Sequence, residues 1–287
     1  VPSQEEFAQR MRGLVRESTR LEGAALKRAL ALLKEAHQDI LGRIAASPEG
    51  GFSRFQLQDI KRSIERTFDG LARRLGREIA ESQGRQFTLG SEQIDRAAGF
   101  ALGAPPSLGG VSQSLLGIAQ DFSADLVSGL TADAKARLNS TLQRAVLGGQ
   151  DLTEIVKEVG RSVNQGQMAQ ITARALTIAR TEILRMHGAA QQARLEQMKA
   201  SGVTVLKQWH HIPEPNPRGT HLAAHGSTVE VEAPFLIAPR FGLPEEELLY
   251  PRDPAASAAN TVNCRCRLLP FFPGVSKEVN AALSRAA

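Results

Sequence analysis

The chain has almost no cysteine. It holds two among 287 residues, Cys264 and Cys266, with a single arginine between them. Two cysteines make no disulfide framework, and a bond between these two would close a very small, strained ring. Long apolar runs are missing too, and none approaches the roughly 20 residues that cross a bilayer. Aromatic residues make up only 5%, with one Trp and one Tyr, while Ala, Leu, Arg and Gln are plentiful. That balance favours helix over sheet. No Walker-type glycine loop and no paired-carboxylate signature is present, which leaves the commonest phosphate and acid–base chemistries without a motif. The opening VPSQEEFAQRMRG sets acids ahead of any apolar stretch and does not read as a secretory signal. The expectation is a chain with no membrane span, made in a reducing cytoplasm.

Charge of one sign is not concentrated either. The net charge is +5, yet residues 1–100 carry 17 basic and 14 acidic side chains, and residues 206–287 carry 8 of each. A mild, dispersed excess suits a protein near nucleic acid without requiring one.

Helical periodicity fills most of the length. Phe7, Met11, Leu14, Ser18, Leu21 and Ala25 recur in steps of four and three, followed by Leu26, Leu30, Leu33, His37, Ile40 and Ile44. SPEGG at 47–51 interrupts them. Leu57, Ile60, Ile64, Phe68, Leu71, Leu75 and Ile79 then repeat the pattern, so residues 1–100 read as a helical hairpin. GFALGAPPSLGGVSQ collects Gly, Pro and Ser and places a linker at 101–113. Helix resumes near Ser114 and occupies 114–202, with a capping-box-like start at Asp151 and Glu154 and a last long helix from Ala169 to Ala200. Ser201-Gly202 ends it.

Texture changes at residue 203. VTVLKQWH and STVEVEAPF are strand candidates, and ten of the 14 prolines lie between 213 and 273. PEEEL at 244–248 reads as a solvated helix start. The fold expected is therefore mostly α with a small α+β module at 203–287. Four of the six histidines fall at 210, 211, 221 and 225. His221 and His225 share one face of a helical turn at i, i+4, and the thiols at i, i+2 share one side of a strand. Together these four suit a tetrahedral soft metal, zinc above all. They suit equally well a set of buried small side chains and turn residues. His210 and His211, at a strand end, are the weaker ligand candidates. Cys264 with His221 as base also has the makings of a nucleophile pair, so a metal- or cysteine-dependent hydrolase or nuclease stays open.

In order, ARTE (179–182), KQWHH (207–211), PRGTHLAAHG (217–226) and LLYPRDPAASAANTVNCRC (248–266) resemble the minor head proteins of tailed phages, a head-morphogenesis family typified by the F protein of phage Mu. The resemblance falls on Arg180, Thr181, Glu182, Trp209, Arg218, His221, Gly226, Tyr250, Pro251, Asp253, Asn263, Cys264, Arg265 and Cys266. It covers the C-terminal half and leaves the hairpin unmatched. Many relatives carry C-x-x-C where this chain has RGTH. The resemblance implies a non-enzymatic structural protein, present in a few copies inside the virion. Its implied partners are the portal protein, the major capsid protein, the scaffold and packaged double-stranded DNA, with roles in head assembly and in DNA packaging or ejection. It also implies a structural clasp. Arg180 and Glu182 would pin the last long helix to the module, and Arg218, Asp253 and Arg265 would knit its loops alongside Trp209, Tyr250 and Asn263.

Overall fold

The computed structural model describes residues 4–46, 54–147, 168–214 and 216–275. Among the described residues, four long helices come first: α1 (Gln4–Ala45), α2 (Arg54–Leu102), α3 (Ser114–Leu147) and α4 (Met168–Ala200). The module follows with β1 (Leu206–His210), α5 (Gly219–Ala223), β2 (Thr228–Glu230), β3 (Phe235–Ile237), β4 (Glu246–Leu248), α6 (Ala258–Thr261) and β5 (Arg267–Phe271). The chain is thus mostly helical with a small mixed module, as its periodicity predicts. PEEEL does not start a helix. Glu246–Leu248 is β4, and its alternating burial turns Leu248 into the core. The proposed cap at Asp151 and Glu154 lies outside the described residues.

Compact packing does not follow consecutive stretches. One unit combines residues 1–23, 81–119 and 180–287, and the other combines 24–80 and 120–179. In the second unit the α2 stripe Ile60, Ile64, Phe68, Leu71, Leu75 and Ile79 is buried, as its spacing predicts. Along α1 the buried seam there runs through Ala25, Ala29, Leu33, Ala36 and Ile40, so small alanines share the seam with the larger leucine and isoleucine. Ion pairs Arg74–Glu35 and Lys135–Asp69 lie on its surface.

In the first unit α2 runs on well past Ile79, where the apolar stripe gives way to glutamine. The polar seam holds because its amides find partners. Gln86 donates from Nε2 to Ser18 O at 2.8 Å and accepts from Ser18 Oγ at 2.9 Å. Gln93 donates to Leu14 O at 2.8 Å and accepts from Gln191 at 3.1 Å. Buried amides satisfied in this way cost little and fix register. Gly103, at φ 82, ends α2. The α4 helix stops at Gly202, at φ 90.

The module's sheet has the order β2-β1-β5, antiparallel throughout, and β3 pairs with β4. Trp209 stands opposite Leu268, and His210 stands opposite Arg267. The core joins Trp209, Val231, Phe235, Ile237, Leu248, Cys264, Cys266, Leu268 and Phe272 to Leu195 and Met198 of α4 and Ile94 and Ala98 of α2. So the end of the N-terminal hairpin is part of the module's own core.

Lys207, in the middle of β1, is buried. Its Nζ donates to Leu249 O at 2.8 Å and Gln192 Oε1 at 3.1 Å. Burial lowers its pKa from 10.5 to about 8 against the opposing pull of Glu196, Asp253 and Glu232. Between those two values the unfolded chain binds more protons than the folded one, so this residue's contribution to stability rises with pH. In urea unfolding at stepped pH, the wild type should gain on Lys207→Met by about 1–2 kcal/mol across that window. A constant difference would show that Lys207 keeps an ordinary pKa.

Candidate metal centre

Three short segments bring the site together. Arg218 starts α5 in extended geometry, with φ −68 and ψ 123, and His221 follows inside the turn. A Cβ at Gly219 would meet the Phe241 ring at 2.5 Å, so a larger residue there would push that exposed ring aside. The turn closes at Gly226, φ 84, whose N–H bonds Trp209 O at 2.8 Å and so ties α5 to β1. The α6 turn places Asn260. Asn263 then adopts a left-handed conformation at φ 58, which asparagine tolerates, and turns the chain into Cys264.

His221 Nδ1 lies 3.5 Å from Cys264 Sγ and 3.6 Å from Cys266 Sγ. The three ligand atoms all fall within 4.8 Å of one another, and all three residues are buried. On the other side of the ring, His221 Nε2 meets Asn260 Oδ1 at 2.9 Å. Asn260 is itself oriented by its amide, which donates to Ile237 O at 2.9 Å and Glu246 Oε2 at 2.8 Å. With the amide nitrogen so occupied, Asn260 presents its oxygen to the ring and holds the proton on Nε2. The Nδ1 lone pair therefore faces the two sulfurs. Metal-bound histidines have this arrangement, with the ring proton taken by an outer partner. Trp209 meets His221 edge-on, with centroids 5.4 Å apart.

The thiols do not behave alike. The hydrogen bond from Cys266 is the largest influence drawing Cys264 well below the ordinary thiol range, against the opposing effect of burial, and the charge of Arg252 adds to it. Sharing that same proton, together with burial, pushes Cys266 well up. The two sulfurs therefore titrate as one coupled pair. Arg252, fully buried, donates from Nη1 to Cys264 O at 2.7 Å and Cys266 O at 2.9 Å and fixes the backbone that carries them. Two sulfurs and an imidazole in a dry pocket are a donor set for zinc rather than for magnesium or calcium. When bound, the metal would supply a structural cross-link between α5 and the segment entering β5.

Most of the expected clasp residues meet around this centre. Arg180 donates to Asn263 Oδ1 and to Glu22 Oε1, each at 3.1 Å, and Thr181 Oγ1 accepts from Asn263 N at 3.1 Å. Arg218 reaches Val262 O at 2.6 Å. Asp253 accepts from Leu249 N and Ala255 N at 2.8 and 3.0 Å and shapes the turn after Pro251. Tyr250 packs on α4, where a Cβ at Gly188 would come within 3.0 Å of its ring, and burial raises its pKa. Glu182 faces its own helix, pairing with Arg185 at 2.6 Å, and Arg185 Nε carries the link on to Arg252 O at 3.0 Å. Burial still raises the Glu182 pKa. Arg265 contributes its carbonyl, which accepts from Arg267 Nη1 at 2.8 Å.

His225 is not brought into the cluster. The α5 helix ends at Ala223, so the i, i+4 relation to His221 is lost. His225 Nδ1 instead accepts from His211 N at 3.1 Å, and its ring meets His210 at 4.7 Å. Sequence reasoning passed over Arg252, Asn260, Arg267 and Glu22. Arg252 and Asn260 stand inside the quoted LLYPRDPAASAANTVNCRC segment, where an arginine and an asparagine among loop residues read as solvated.

Residues 136–269 match the family model described as Phage Mu protein F like protein. Among curated proteins, the chain is 33% identical over 118 residues to the uncharacterized protein YqbB of Bacillus subtilis (strain 168), covering 39% of this chain and 36% of that one. It is 30% identical over 129 residues to the NAD(+)--arginine ADP-ribosyltransferase EFV of Enterococcus faecalis (strain ATCC 700802 / V583), covering 42% of this chain and 23% of that one. The chain therefore spans about a third of the first relative and a quarter of the second. No solved structure matches.

Proposed function

We propose, from the match of residues 136–269 to the phage Mu protein F-like family, one of phage head morphogenesis, that this chain is a structural, non-enzymatic minor head protein. It acts inside the head, bound to portal or inner capsid, during assembly and DNA packaging or ejection. One observation carries the reading. Many of the residues that bear the resemblance are spent on one another or on neighbouring backbone, as in Arg180 to Asn263, Thr181 to Asn263, Arg218 to Val262 O and His221 to both thiols. Groups used in this way hold a module shut. The cluster would keep it shut through one zinc ion per chain.

A second reading has the same atoms in its favour. Cys264, His221 and Asn260 stand in the order nucleophile, base and orienting group. Burial weighs against it, because Cys264 is 1% exposed and Cys266 2%. The transferase relative is matched over too little of its length to lend its activity.

The test is incorporation into heads. Removing residues 1–100 would confound it, because residues 1–23 and 81–119 share a compact unit with 180–287. Heads made in cells lacking this chain should instead be complemented with wild type or with Cys264→Ser/Cys266→Ser, and the protein in purified heads quantified by mass spectrometry. We expect wild type to be incorporated and the double variant to fall at least about tenfold. Heads that assemble, fill and infect without the chain would refute the structural role. Hydrolytic turnover by wild type that Cys264→Ser abolishes would favour the enzyme.

A further inference from the structure

The three-atom cluster leaves a tetrahedral metal one ligand short, and β1 points to the residue that completes it. The antiparallel ladder pairs Trp209 with Leu268 and His210 with Arg267. Continued by one residue, it sets His211 opposite Cys266. Side chains directly opposite on an antiparallel pair share a face, with Cβ atoms about 5 Å apart. They also share it with residues two away, which here are Trp209 and Leu268, both in the core that contains the cysteines. His211 is buried, at 7% exposure, and its Nε2 has no hydrogen-bond partner among the described residues. A buried ring nitrogen without a partner calls for an explanation. Its backbone is fixed by the bond from His211 N to His225 Nδ1.

We propose that His211, through Nε2, is the fourth ligand of a Cys2His2 zinc site with His221, Cys264 and Cys266. The proposal rests on the reading of those three as a metal cluster. His211 stands outside the set of atoms already within 4.8 Å of one another, so binding draws its ring inward by side-chain rotation. The proposal also gives His225 a role, as the group that holds the His211 backbone.

The experiment uses the full chain, stripped of metal under reducing conditions and titrated with cobalt(II), whose visible absorption reports coordination number and thiolate ligation. Wild type should bind one ion with intense tetrahedral bands. His211→Ala should lose at least about tenfold in affinity, together with that intensity. His211→Cys should restore four-coordination and add thiolate charge-transfer absorption, which a merely structural histidine would not allow. If His211→Ala binds cobalt with unchanged affinity and spectrum, His211 is not a ligand and the three-residue cluster stands without it. If wild type binds no metal, the cluster reading fails and this inference with it. Should His211→Ala fail to fold, His211→Cys alone decides, and an absence of added charge-transfer absorption overturns the proposal.

Discussion

Replacing Arg252 with alanine should destabilise the protein by about 3 kcal/mol, although no acidic side chain is lost from its side. Arg252 is fully buried and holds a left-handed backbone, φ 70, an uncommon state for a long side chain. What keeps it there is bonding at three points. Nη1 reaches Cys264 O and Cys266 O, its own carbonyl accepts from Arg185 Nε, and the next residue, Asp253, bonds back to Leu249 N. Truncation removes the Arg252 donor from two buried carbonyls, leaving Cys266 O only a 3.5 Å contact from Arg267 Nη1, at about 1 kcal/mol or more each, and opens a cavity. Part is recovered, because burying the guanidinium is itself costly and its Nε and Nη2 have no partner. Arg252→Met separates the contributions, since it fills the space but cannot donate, and it should lose about 1–2 kcal/mol. Urea unfolding at constant m-value gives the ranking wild type, Met, Ala. A methionine variant as stable as wild type would show that the carbonyl bonds contribute nothing net.

Metal removal should have a larger effect still. Structural zinc contributes its binding free energy to folding, and a site saturated a thousandfold above its Kd adds about 4 kcal/mol. Elemental analysis of protein purified without chelator is expected to find one zinc per chain. Stripping it should lower the unfolding midpoint, and stoichiometric zinc should restore it. Cys264→Ser/Cys266→Ser should sit at the stripped midpoint whether or not zinc is present. The single change Asn260→Ala, which frees the ring proton of His221, should weaken zinc binding by about 10–100-fold without abolishing it. Equal midpoints with and without metal in wild type would leave the thiols as ordinary core groups.

Legibility varied with the kind of interaction. Helices sustained by apolar residues were readable, as in the Ile60–Ile79 stripe of α2. The continuation of α2 to Leu102 was not, because its seam there is glutamine, which the hydrophobic period cannot register. The thiol pair with His221 was readable from residue type and spacing. His225 was misplaced, because i, i+4 aligns side chains only if the helix lasts four residues beyond the first, and α5 lasts two. Arg252 and Asn260 were missed, because nothing local distinguishes a buried polar side chain from a solvated one.

Sequence alone determined that this chain is mostly helical, that its proline-rich end is a separate texture, and that sulfur and imidazole gather there. These are matters of composition and short-range period, which the chain carries whatever its packing. Tertiary structure decided which polar groups are buried. It also decided that residues 81–119 join the C-terminal module, and that Asn260 fixes the proton of His221 so that its lone pair faces Cys264 and Cys266. The physical reason is that a hydrogen bond between residues far apart in the chain depends on distance and direction in space, and neither leaves a mark on the spacing of letters.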